Sequence, residues 1–70
     1  DIDDLLQTTV NKVKDEIMRD ENISSRQKTK EIIKQLNNQG FFKLRNAVPQ
    51  IAKILEISRD VIYLHLRNQK

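Results

Sequence analysis

Near the start of the chain, apolar residues fall at Ile2, Leu6, Val10, Val13 and Ile17, in steps of four and three that keep them on one stripe of a helix. The spacing predicts a helix from Ile2 to Arg19, with Leu5 and Met18 widening the stripe. Asp3 and Asp4 in its first turn and Arg19 in its last suit the helix dipole. Two heptads are too few for a stable coiled coil, so something must cover the stripe. It can pack on the rest of the chain or pair with a second copy. Pairing through Leu6, Val10, Val13 and Ile17 is the reading favoured here, because a domain of this size gains from extra burial.

A polar break at Asp20-Glu21-Asn22 ends this segment. Ser24, with Gln27 three residues later, has the spacing of a capping box and predicts a second helix. Ile32, Ile33 and Leu36, with Thr29, form its inner face, while Lys28, Lys30 and Lys34 project elsewhere. The run Asn37-Asn38-Gln39-Gly40 is a stop signal, with Gly40 suited to the left-handed conformation past a helix end. At least one of Phe41 and Phe42 should plug the small core, and residues 43–46 read as a connector. A third helix is predicted from Ala47 to Leu55, capped by Asn46, with Pro49 in the first turn where its missing N–H costs little. Glu56-Ile57 makes a tight turn, and Ser58 caps a fourth helix from Arg59 to Asn68. The pattern is all-α: an N-terminal amphipathic helix, residues 1–22, for linking or dimerisation, then a three-helix unit over residues 23–70.

Two helices that cross steeply over a short turn need a small residue where their backbones come closest. Ala52 occupies that place, with Ile51, Leu55, Ile57, Ile62 and Leu66 forming the apolar wedge around it. This is the pattern of a helix-turn-helix, whose second helix offers its N-terminal end to DNA base edges. With Ile62 and Leu66 inward, Arg59, Asp60, Tyr63, Leu64 and Arg67 share the outward face. Arg59, Tyr63 and Leu64 are then the candidates for base edges or methyls, and Arg67 for base or phosphate. Asp60 would accept from a cytosine amine or orient Arg59. Lys43, Arg45 and Lys53, with Gln50 and the capping Ser58, are phosphate candidates, which add affinity without sequence choice.

Charge sharpens the picture. Residues 1–22 carry seven acidic and three basic side chains, a balance of −4, whereas residues 23–70 carry ten basic and three acidic, a balance of +7. A positive C-terminal region meets polyanions, and the acidic N-terminal helix is kept away from them.

The Ser25-Arg26 start, Gln39-Gly40-Phe41-Phe42, Leu44-Arg45 followed by Ala47-Val48, Ile51-Ala52, and Leu55-x-Ile57-Ser58-Arg59 leading to Ile62-Tyr63-x-x-Leu66 carry a more specific signal. Over residues 24–68 the chain resembles the C-terminal helix-turn-helix of the YheO-like family of bacterial transcription regulators. The resemblance implies sequence-specific binding of double-stranded DNA, and pairing through the N-terminal stripe would make the binder a homodimer that reads a two-fold symmetric site. It also implies a preceding PAS-like sensory domain, which would bind any small-molecule effector. Three positions depart from the family pattern. Glu56 stands at a turn position usually held by Gly, and Asn46 replaces a Gly before the third helix. Leu64 stands where a polar groove-facing residue is more usual, although an apolar side chain can meet a thymine methyl.

Other chemistries find little support. The chain has no cysteine and one histidine, His65, so neither a thiolate nor a multi-histidine metal site is expected. Asp15-Glu16 and Asp20-Glu21 are carboxylate pairs that read as solvated helix surface, so no enzymatic activity and no cofactor are expected. Tyr63 alone is no stacking platform for single strands. No apolar run approaches the length of a membrane span, and the expected location is the cytoplasm, in the nucleoid. Starting at Asp1 rather than Met, the chain reads as part of a longer protein. The competing reading is a protein–protein adaptor that uses the amphipathic helix and keeps the helix-turn-helix as scaffold.

Overall fold

A computed structural model of the chain describes residues 2–68, with side chains from Asp4 onward. The described residues form four helices, α1 (Ile2–Arg19), α2 (Ser25–Asn38), α3 (Ala47–Leu55) and α4 (Arg59–Asn68), with a single 3₁₀ turn at Phe41–Lys43 between α2 and α3. The side chains of Ile2 and Asp3, assigned above to the stripe and the first turn, lie outside the described residues.

The helices end where the backbone chemistry says they should. Gly40 takes a φ of 83° just past α2, and its N–H donates to the Asn37 carbonyl. The chain then turns through Phe41–Lys43, where the Lys43 N–H donates to Gly40 O and the Leu44 N–H to Phe41 O. Asn46 enters α3 in the left-handed region, at φ 61° and ψ 19°, which its short polar side chain tolerates better than most. Its side chain makes no capping bond, so Asn46 serves α3 through its backbone conformation instead. The capping box expected at α2 is absent too: the Ser24 side chain makes no cap bond, and Gln27 donates its backbone N–H to the Ser24 carbonyl at 2.9 Å. Both residues are exposed, so water competes for every bond the box would make.

Among the described residues, eleven apolar side chains are buried in one cluster: Leu6, Val10, Val13, Ile17, Ile32, Ile33, Leu36, Ala47, Ile51, Ala52 and Ile62. Among the described residues, α2 and α3 each pack against both α1 and α4, while α1 and α4 make at most marginal contact with each other. Phe41 and Phe42 are both half-buried against this cluster, closing the end of the core between α2 and α3. The core holds no polar or charged side chain among the described residues. No helix of the described residues is long and apolar enough to cross a membrane.

The stripe of α1 is therefore covered by its own chain. Leu6, Val10, Val13 and Ile17 are 0–5% exposed within the single molecule, which corrects the expectation that they pair with a second copy. The dimensions agree. The Cα radius of gyration is 11.3 Å, against about 11 Å for a compact chain of this length. An 18-residue helix is about 27 Å long, within the 33 Å long dimension of the molecule. Leu5 and Met18 do not widen the buried stripe. They flank it and are 61% and 53% exposed.

A second tie holds α1 in place. The Lys28 ammonium, at the start of α2, donates to the Met18 carbonyl at 2.7 Å. That carbonyl lies in the last turn of α1, where carbonyls lack intrahelical partners and the dipole favours a cation. Lys28 is thus a tertiary cap between helices, which its place among three lysines did not suggest.

Two outcomes follow for stability. Ile17→Ala is expected to cost about 2–5 kcal/mol, equally at low and high protein concentration. A cost of Ile17→Ala that grows with protein concentration would restore the dimer interface on this stripe. Lys28→Met keeps the stem and removes the ammonium, and is expected to cost about 1 kcal/mol. In a thermal melt that is a fall of about 4–8 °C.

Candidate nucleic-acid interface

The angle between α3 and α4 is set by a hydrogen-bonded helix end. The Ile57 N–H donates to Ala52 O at 3.0 Å, and the Glu56 N–H to Lys53 O at 3.3 Å. Together with Glu56 at φ 59° and ψ 40°, these bonds form a Schellman motif, which turns the chain sharply out of α3. Its usual accompaniment is an apolar contact from the residue after the left-handed one, and Ile57 is half-buried against the core. Ala52, at 5% exposure, is the small residue that lets the two helices approach, with Ile51 and Ile62 fully buried on either side of the turn.

Ser58 then starts α4. Its Oγ accepts from the Val61 N–H at 3.2 Å, the N-cap bond the sequence predicted. From that cap the helix buries Ile62 and half-buries Val61, His65 and Leu66. Arg59, Asp60, Tyr63, Leu64 and Arg67 are all exposed in one row along the opposite side. The structure brings these five together as the sequence expected. Two of them, Tyr63 and Leu64, are about half exposed although apolar, at 52% and 51%.

The remaining candidates are distributed along the preceding segment. Lys43 ends the 3₁₀ turn and Arg45 follows it, both exposed ahead of α3. Gln50 is half-buried and Lys53 exposed on α3. These two line a cleft of about 420 Å³ between α1 and α3, together with Ile54 and with Gln7 and Asn11 of α1. Gln7 and Asn11 escaped the sequence reading. They lie one helical turn apart beside the buried stripe of α1, and only the packing of α1 on α3 brings them next to Lys53. His65 is half-buried at the rim of the core, and the described residues contain no cluster of three or more metal-ligating side chains.

A family model described as an HTH domain matches residues 9–67. The uncharacterized protein YheO of Escherichia coli (strain K12) is 32% identical over 69 residues, which cover 99% of this chain and 29% of that protein. An uncharacterized protein of Haemophilus influenzae is 30% identical over 69 residues, covering 99% of this chain and 31% of the relative. The chain thus spans about three tenths of the length of the curated relatives it matches. No solved structure matches it.

Glu56 provides a direct check on the turn. A left-handed residue with a Cβ is strained by roughly 1–2 kcal/mol, partly offset by the backbone entropy that glycine loses on folding. Glu56→Gly is expected to raise the melting temperature by about 2–8 °C, corresponding to a net gain of about 0.5–1 kcal/mol. A lower melting temperature would mean that this turn does not hold position 56 left-handed.

Proposed function

Because the chain belongs to the YheO-like family of helix-turn-helix domains, we propose that it binds double-stranded DNA in a sequence-specific manner, as the DNA-binding part of a bacterial transcription regulator. The observation that carries this reading is the exposed row Arg59, Asp60, Tyr63, Leu64 and Arg67 on a helix whose start and tilt are pinned by Ser58 and the turn before it. A helix of that kind fits the major groove. In this reading the guanidinium of Arg59, at the N-terminal end, addresses a base edge. Arg67 addresses a base or the backbone, and Asp60 takes a cytosine amine or steadies Arg59. Lys43, Arg45, Lys53, Gln50 and Ser58 meet phosphates. The reading calls for no chemistry inside the protein, whose core is wholly apolar among the described residues.

Two wider parts of the proposal concern the longer regulator. A pair of recognition helices on half-sites about one helical turn apart would make the operator two-fold symmetric. Any such pairing uses surfaces other than the α1 stripe, which the core occupies. Effector sensing is assigned to a separate N-terminal sensory domain, and the cellular location is the nucleoid. The adaptor reading loses its surface for the same reason that the α1 dimer does.

Selection from a random duplex pool, followed by titration of the enriched sequence, tests the reading. Arg59→Ala should lower affinity for that sequence by about 1–3 kcal/mol and relax the preference at one base pair. Lys53→Ala should weaken all duplexes alike and reduce the slope of log affinity against log salt by about one. Binding with no salt dependence, or no enrichment of any sequence, would overturn it.

A further inference from the structure

We propose that Leu64 is a specificity-determining residue that reads the C5-methyl of a thymine, so that a thymine at one fixed place in each site is required for tight binding. The inference rests on the reading of α4 as a recognition helix and names what its least polar position recognises. Leu64 is 51% exposed on a helix whose inward face is already supplied by Val61, Ile62, His65 and Leu66. The fold does not need a leucine there. Arg, Lys, Gln and Glu have nearly the same helix propensity and would hydrate better at an exposed position. Tyr63 beside it is 52% exposed, so the two present an apolar spot along the row. Arg59 and Arg67, both exposed, bracket that spot at the two ends of the helix.

An apolar spot between two cations selects a partner with the complementary pattern, apolar in the middle and anionic on either side. The major groove has that pattern where it holds a thymine. The C5-methyl is the apolar group among the acceptors and donors on the base edges, and phosphates line both walls. A leucine side chain cannot donate or accept a hydrogen bond. It discriminates by burying the methyl and by leaving the polar edge of a wrong base without a partner.

The test uses the duplex that the chain enriches from a random pool, with each thymine replaced in turn by uracil, which differs only by the methyl. One replacement should weaken binding by about three- to tenfold. Leu64→Ala should bind the thymine and uracil forms of that duplex equally, with a melting temperature close to that of the parent chain because the side chain is exposed. If no uracil replacement affects the parent chain, the proposal fails whatever the variant does, and Leu64 then faces something other than base methyls. If Leu64→Ala still distinguishes thymine from uracil, another residue reads the methyl and the proposal fails. A chain that enriches no duplex overturns the DNA reading itself, whereas enrichment with indifference to uracil overturns only the role of Leu64.

Discussion

Burial of the α1 stripe is the interaction on which the rest of the molecule depends. In a chain of 70 residues, four of the eleven buried apolar side chains among the described residues come from this one helix, which packs against both α2 and α3. Small domains bury too little surface to waste a fully apolar face. Without α1, the inner sides of α2 and α3 would be open on the flank away from α4, and the three-helix unit would have to hold its shape on Ile32, Ile33, Leu36, Ala47, Ile51, Ala52 and Ile62 and the half-buried side chains around them. The acidic helix is therefore a structural partner of the basic unit. The charge imbalance between the ends of the chain becomes an imbalance between regions of one folded body.

On that body the recognition row is built by local rules. The left-handed Glu56 turns the chain, Ala52 lets α3 and α4 close, and Ser58 starts the new helix. Each is a backbone or small-residue device, and each leaves the long side chains of α4 free for other work. This division explains how a short helix can hold its axis with one fully buried residue, Ile62, and still display five side chains outward.

Much of this was legible in the sequence because it depends on neighbours in the chain. Helix periodicity located all four helices, and the stop signal after the second placed the left-handed Gly40, whereas Asn46 and Glu56, also at positive φ, stood out only by comparison with the glycines of the family pattern. Ser58 and Ala52 were readable for the same reason. What the sequence could not convey was who covers whom. An amphipathic stripe records that Leu6, Val10, Val13 and Ile17 are covered, yet the same spacing serves a partner chain or the helix's own fold. The Lys28 bond to the Met18 carbonyl joins residues ten apart across a bend, so nothing in a run of lysines distinguishes it. The missing box at Ser24 and Gln27 is the opposite case, a correct local spacing that solvent makes unnecessary. For the outward row, spacing predicted which side chains stand together, while their exposure had to come from the packed structure.

The hydroxyl of Ser58 illustrates how little chemistry separates a structural residue from a recognising one. As the cap of α4 it spends a lone pair on the Val61 N–H, and its own hydrogen remains available for another acceptor. A carboxylate in that place would start the helix equally well. Against a phosphodiester, however, it would bring a repelling charge and no proton to give. One oxygen that accepts inward and donates outward lets the helix start double as a handle on an anionic backbone.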